Sequence, residues 1–208
     1  YDPLKAMRLQ AVANAKLAPV DCQIAGVEFT IDAPEGTHVS DWDERYGLRL
    51  TREGGAKPKF ALRIGLGNVN IDLLKNGWEK KRDPEFQGFA LQEQDAVIRK
   101  MVPAYDQDKP GYVLHANGTI GPYDLNARTE VISERSFAKA DALLMLHCVR
   151  SARVKPASAE LLKSPDGLRA LDVDLKQGET GEIVEIAVEN RPITDSGMPA
   201  LARLCPQL

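Results

Sequence analysis

The sequence predicts an α+β protein, an antiparallel sheet packed against helices, with a small ββα appendage at its C-terminal end. Three observations carry this. Apolar residues alternate with polar ones over short stretches bounded by turn residues, as at Val27, Phe29 and Ile31 and again at Phe60, Leu62 and Ile64. Residues 137–150 hold the run Ala142-Leu143-Leu144-Met145-Leu146, apolar almost all round, which is the pattern of a helix lying deep against a sheet. Past Lys155-Pro156 the texture shifts to short apolar runs and then a strand, turn, strand and helix within about fifty residues, too few to be stable alone.

The elements follow in order. Asp2-Pro3 is a helix start, an N-cap acceptor followed by Pro at the first helical position, and Leu4, Met7, Ala11 and Val12 form an apolar stripe, so a helix is expected over 3–17, ending near Pro19. A strand follows at 27–31 and leaves through Asp32-Ala33-Pro34-Glu35-Gly36. Residues 46–50 and 60–66 alternate as a hairpin about Glu53-Gly54-Gly55, with Arg49 and Arg63 on its polar face. Leu73, Leu74 and Trp78 give helical spacing over 71–81, and Lys80-Lys81-Arg82 suits a helix C-terminus. Residues 89–91, 96–98, 112–116 and 125–131 read as meander strands, and Ser136 as the cap of the helix that follows. In the tail, strands are expected at 172–175 and 183–188 and a last helix at 196–204.

Composition narrows the function classes. The chain has 208 residues, 43% apolar and 27% charged, enough for one ordinary domain and an extra piece with a sizeable core. Its 27 basic and 30 acidic residues give a net charge of -3, with no overall field to draw nucleic acid or an anionic membrane. No apolar run approaches the ~20 residues that cross a bilayer. The chain begins with Tyr1, which predicts a removed segment: a signal peptide, a membrane anchor or flanking sequence, with both an extracytoplasmic and a cytoplasmic origin open. Cys22, Cys148 and Cys205 cannot all pair within one chain; the reading is three buried thiols, with one disulfide and one thiol as the alternative.

Chemical motifs are sparse. Gly65-Leu66-Gly67 lacks the third glycine of a phosphate loop, since position 70 is Asn, and reads as a strand ending in a turn. His38, His115 and His147 lack metal spacing, and His147 and Cys148, adjacent on a helix, point about 100° apart. Ser133, Ser136 and Ser151 lack a nucleophile elbow. The acid clusters Asp41-Trp42-Asp43-Glu44, Asp106/Asp108 and Asp172/Asp174 do not follow a calcium loop and read as solvated turns. Asn117-Gly118-Thr119, a formal glycosylation sequon, reads as a hairpin turn, and Trp42, Tyr46 and Trp78 are candidates for an aromatic recognition patch. The sequence therefore yields no catalytic residue, cofactor-binding residue or metal ligand.

Two resemblances add to this. Residues 22–155, with "VEFTIDAPEG", "YVLHANGTIGPYDLNARTEVI" and "FAKADALLMLHCVRSARV", resemble the PsbP-like α+β fold of photosystem extrinsic subunits and bacterial periplasmic lipoproteins. Residues 183–208 resemble a single bacterial leucine-rich repeat: Ile183, Ile186 and Val188 match L-x-x-L-x-L, and Ile193-Thr194-Asp195-Ser196-Gly197-Met198 with Leu201 match the turn and helix, Pro192 and Pro199 departing from it. The implied organisation is an arm (1–21), a PsbP-like unit (22–155) and a repeat-like tail (156–208). The implied function is a non-catalytic extracytoplasmic binding or adaptor module, of periplasmic or cell-surface placement, taking a protein partner or a small hydrophobic ligand. The charge balance and the missing motifs add the expectation of no nucleic acid and no cofactor, with membrane contact only through a removed anchor. The alternatives are an immunity or inhibitor protein for a secreted toxin, and a hydrolase using carboxylates that no motif marks.

Overall fold

The computed structural model describes residues 10, 12–13, 15–43, 47–54, 57–80, 86–102, 111–130, 137–171, 173–180, 182–187, 193 and 197–205. In chain order these form β1 (Leu17–Ile24), β2 (Val27–Pro34), β3 (His38–Asp43), β4 (Gly47–Gly54), β5 (Lys57–Leu66), α1 (Ile71–Lys80), β6 (Phe86–Gln92), β7 (Ala96–Met101), β8 (Gly111–Ile120), β9 (Tyr123–Thr129) and α2 (Lys139–Arg150). The tail adds β10 (Arg153–Val154), α3 (Pro156–Ala159), a 3₁₀ turn (Leu161–Lys163), α4 (Pro165–Ala170), β11 (Asp174–Gln177), β12 (Ile183–Ala187) and α5 (Met198–Leu204). No helix among the described residues is long and apolar enough to cross a membrane.

The α+β expectation is corrected: the described residues are mostly β, 50% strand against 29% helix, and the main body is a seven-stranded antiparallel sheet. The sheet order is β3-β4-β5-β9-β8-β7-β6, so β5 pairs with β9 across some sixty residues of chain, Leu62 opposite Thr129 and Arg63 opposite Arg128. A second sheet runs β1-β2-β10, and β11-β12 forms a hairpin. Strand takes more of the chain than expected because segments read as helix or turn pair as strands, while the short helices α3 and α4 stand where the sequence shows only short apolar runs. Leu17 and Pro19, placed at the end of a helix over 3–17, lie in β1 opposite Pro34 and Asp32; Gln10, Val12 and Ala13 are helical, and residues 1–9 lie outside the described residues. Residues 41–43, read as a solvated turn, belong to β3, which pairs with β4. The helix after the meander is capped at Ala138, with no side-chain cap, rather than at Ser136, which lies outside the described residues.

One face of the large sheet is closed. Leu50, Leu62, Ile64, Ile98, Leu114 and Leu125 point into a core that β2 enters with Phe29 and Ile31 and α2 with Leu143, Met145 and Leu146, all fully or almost fully buried. Burying such a side chain contributes about 2 kcal/mol, which is why these alternating positions fix the register. The β1–β2 hairpin turns over two residues, Ala25 at φ 47° and Gly26 at φ 80°, the paired positive angles of a type I′ turn that matches strand twist.

The tail closes against this body. Leu162, Leu168, Leu171, Val173 and Leu201 join the same core, and Ile186 packs against it. The Ser158 hydroxyl accepts from Glu28 N at 2.7 Å, its carbonyl accepts from the Tyr123 hydroxyl at 2.7 Å, and β10 extends the sheet of β2. Ser164 caps α4 by accepting from Gly167 N at 3.0 Å. Val188, expected in the last strand, lies outside the described residues.

Candidate anion-binding site

The alternation that sends Leu62 and Ile64 into the core sends Arg63 to the opposite face, and the register aligns other strands with it. Arg49 of β4 lies opposite Arg63 of β5, Arg63 opposite Arg128 of β9, and Arg128 opposite His115 of β8. With strands about 4.8 Å apart, this row crosses four strands over about 14 Å. His115 in turn faces Val97, and Arg99, two residues along β7, lies opposite Val113. Like charges directly opposite one another destabilise a sheet pair, so a row of three arginines is unfavourable for folding unless something anionic meets it.

Glu130 supplies part of the answer. It follows β9, its N–H donates to the Ala61 carbonyl at 3.0 Å, and its side chain is 3% exposed. One carboxylate oxygen, Oε1, accepts from Arg63 at 2.6 Å and also from Arg49. Burial works against its charge, but the hydrogen bonds and charges of Arg49 and Arg63 prevail and hold its pKa below the ordinary carboxylate value. The second oxygen, Oε2, is buried without a partner, as is Arg49 Nε.

Two adjoining cavities lie over this face. The first, about 250 Å³, is lined by Arg63, Arg99, Val113, His115, Arg128, Thr129 and Glu130. The second, about 260 Å³, shares Arg63, His115 and Arg128 and adds the apolar wall of Val69 and Leu74 and the side-chain amide of Asn126. Helix α1 forms its roof. Asn70 starts that helix by accepting from Leu73 N at 2.8 Å, and Asn117 of β8 clasps the preceding loop from both sides, accepting from Val69 N at 3.0 Å and donating to Val69 O at 2.7 Å. Asn126 Nδ2 likewise donates to Gly67 O at 3.1 Å.

At the β6 and β7 end an aromatic group closes the site. Trp78 of α1 lies 5.2 Å from the His115 ring and 6.2 Å from Phe89, Phe89 meets Phe86 at 4.9 Å, and the Arg99 guanidinium sits 4.8 Å over Trp78. Burial, then Arg99 and Arg128, push the pKa of His115 down to about 4, so its imidazole is neutral near pH 7 and presents one donor and one acceptor.

Of the residues singled out in the sequence, the structure brings Arg49, Arg63, His115 and Trp78 to this face. Asn117 is corrected from a hairpin turn to a mid-strand clasp. Gly65 lies within β5, which ends at Leu66, and Gly67 bends away at φ 106°. His38 is exposed on β3, and His147 lies on α2 beside a buried Cys148 whose thiol burial pushes up to about 12. The Ser151 hydroxyl accepts from Asp32 N and donates to Cys148 O, a structural role. Asp174 is exposed in β11, while Asp106, Asp108, Asp172, Ser133, Ser136 and Tyr46, with the side chain of Trp42, lie outside the described residues. Among the described residues no three His, Cys, Asp or Glu side chains are grouped to hold a metal ion, and all three cysteines are buried free thiols. Arg99, Arg128 and Glu130 escaped the sequence reading. Their signal was the phase of alternation in each strand, which places each on the face opposite the core.

No family model matches the chain, and no curated protein matches it.

Proposed function

We propose that the protein is a binding module that captures an anionic ligand on the open face of its seven-stranded sheet. The observation that carries this is the cross-strand row Arg63, Arg128 and His115, with Arg99 beside it, lining one cavity, and Arg49 continuing the row outside it. Among the described residues lining the first cavity, three arginines stand against one carboxylate, and His115 is neutral. Arginine suits such a task because its planar fork matches oxyanion geometry and stays charged at any working pH. Binding rather than hydrolysis is favoured because, among the described residues lining the cavity, Glu130 is the single carboxylate and Arg49 and Arg63 hold one of its oxygens, whereas hydrolysis by a carboxylate pair needs two close carboxyls. The ligand proposed here is therefore anionic, in place of a purely hydrophobic one.

Calorimetric titration with phosphate, sulfate, phenyl phosphate and benzoate tests the reading. At least one of these anions binds the wild-type protein, more weakly as sodium chloride is raised, and Arg128→Gln weakens that binding by about tenfold, the loss of one charge-assisted hydrogen bond. Absence of heat with all four anions at millimolar concentration sinks it.

A further inference from the structure

We propose that the anion is a phosphoryl group that still carries a proton, and that Glu130 selects it. This rests on the anion-binding reading above and names the ligand chemistry of the same site. An anion cavity built of arginines alone would hold any oxyanion. Here one wall is a carboxylate, 3% exposed, whose Oε1 is tied to Arg49 and Arg63 while Oε2 is buried without a partner. An ionised carboxylate oxygen accepts hydrogen bonds and donates none. A fully deprotonated oxyanion such as sulfate or a carboxylate therefore meets it acceptor to acceptor, at the cost of like-charge repulsion in a partly desolvated place.

A phosphoryl group resolves the conflict. Its second ionisation lies near pH 6 for a monoester, and inorganic phosphate keeps a proton well above neutrality, so one oxygen donates to Glu130 Oε2 while the others accept from the arginines. The buried unpartnered oxygen is thereby satisfied, as buried polar atoms ordinarily are. The second cavity, walled by Val69 and Leu74 and floored by Gly65 and Ala116, has room for the organic body of a phosphate monoester. The shared chemistry is the protonated phosphoryl group, free or esterified.

The experiment is competitive calorimetry at pH 6, where about half of a monoester is protonated and His115 remains neutral. Inorganic phosphate or phenyl phosphate binds the wild-type protein about tenfold or more tightly than sulfate or benzoate, the size of one charge-assisted hydrogen bond. Whichever of the two phosphates binds more tightly identifies the source, free ion or ester. In Glu130→Gln, sulfate gains until it binds within about threefold of phosphate, because an amide can donate as well as accept. Should that variant not fold, the wild-type preference alone decides. Equal affinity of the wild-type protein for sulfate and phosphate overturns the selection by Glu130 and leaves the anion site standing. Silence with all four anions overturns both.

Discussion

The two faces of the seven-stranded sheet are made by the same strands and differ by one residue in phase. Leu62 and Arg63 are neighbours in β5, yet one is fully buried among aliphatic side chains and the other stands in a row of guanidinium groups over a cavity. On the covered face every element agrees: β2, α2 and the tail bring apolar side chains to apolar side chains. The open face sets like charge opposite like charge and buries a carboxylate to hold them. Such local conflict inside a fold that is otherwise consistent marks the place where folding and binding make different demands.

That contrast can be broken most severely from the covered side. Leu62→Ala leaves a cavity between β4 and β9 and lowers unfolding free energy by about 2 to 5 kcal/mol in urea titration, with anion affinity unchanged wherever the protein is folded. Acid attacks from the open side. Because His115 has an ordinary value of 6.5 and a folded value of about 4, the unfolded chain takes up a proton in that interval and the folded chain does not. Stability is full above pH 6.5 and falls by roughly 3 kcal/mol as the pH drops to about 4. Glu130, whose pKa is lowered, adds a further loss below its ordinary value of 4.5. Thermal melts from pH 7 to 4 show the slope, and His115→Gln removes its upper part. The smallest effect sharpens the comparison most: Arg128→Gln shifts stability by less than about 1 kcal/mol, because it relieves repulsion from Arg63 while losing little packing. A residue whose loss harms binding and spares folding belongs to function.

Much of the strand content was legible because half-buried strands announce themselves by alternation. The hairpins of β4 with β5 and β8 with β9, the helix Ile71–Lys80 and the deep helix Lys139–Arg150 all have local signals. What local pattern does not hold is which strand lies beside which. Arg63 meets Arg128 only because β9 docks on β5, a pairing settled by the core and not by residues near either strand. Hence Arg49 and Arg63 could be placed on a polar face from sequence, whereas the site they join could not. The β3 strand, whose acidic stretch reads as a turn, and β1, which follows a helix-like stripe, are tertiary decisions of the same kind.

The three cysteines carry a consequence for the life of the molecule. Cys22 and Cys148, buried and with thiols pushed up to about 12, offer almost no thiolate at neutral pH, and thiolate is the species that alkylates or exchanges. Folded chains therefore ignore oxidants and maleimides at these positions, and opened chains do not. Each cysteine acts as a recorder: the fraction marked after a given interval counts the molecules that have opened, a history of excursions that a melting curve, which sees only averages, erases.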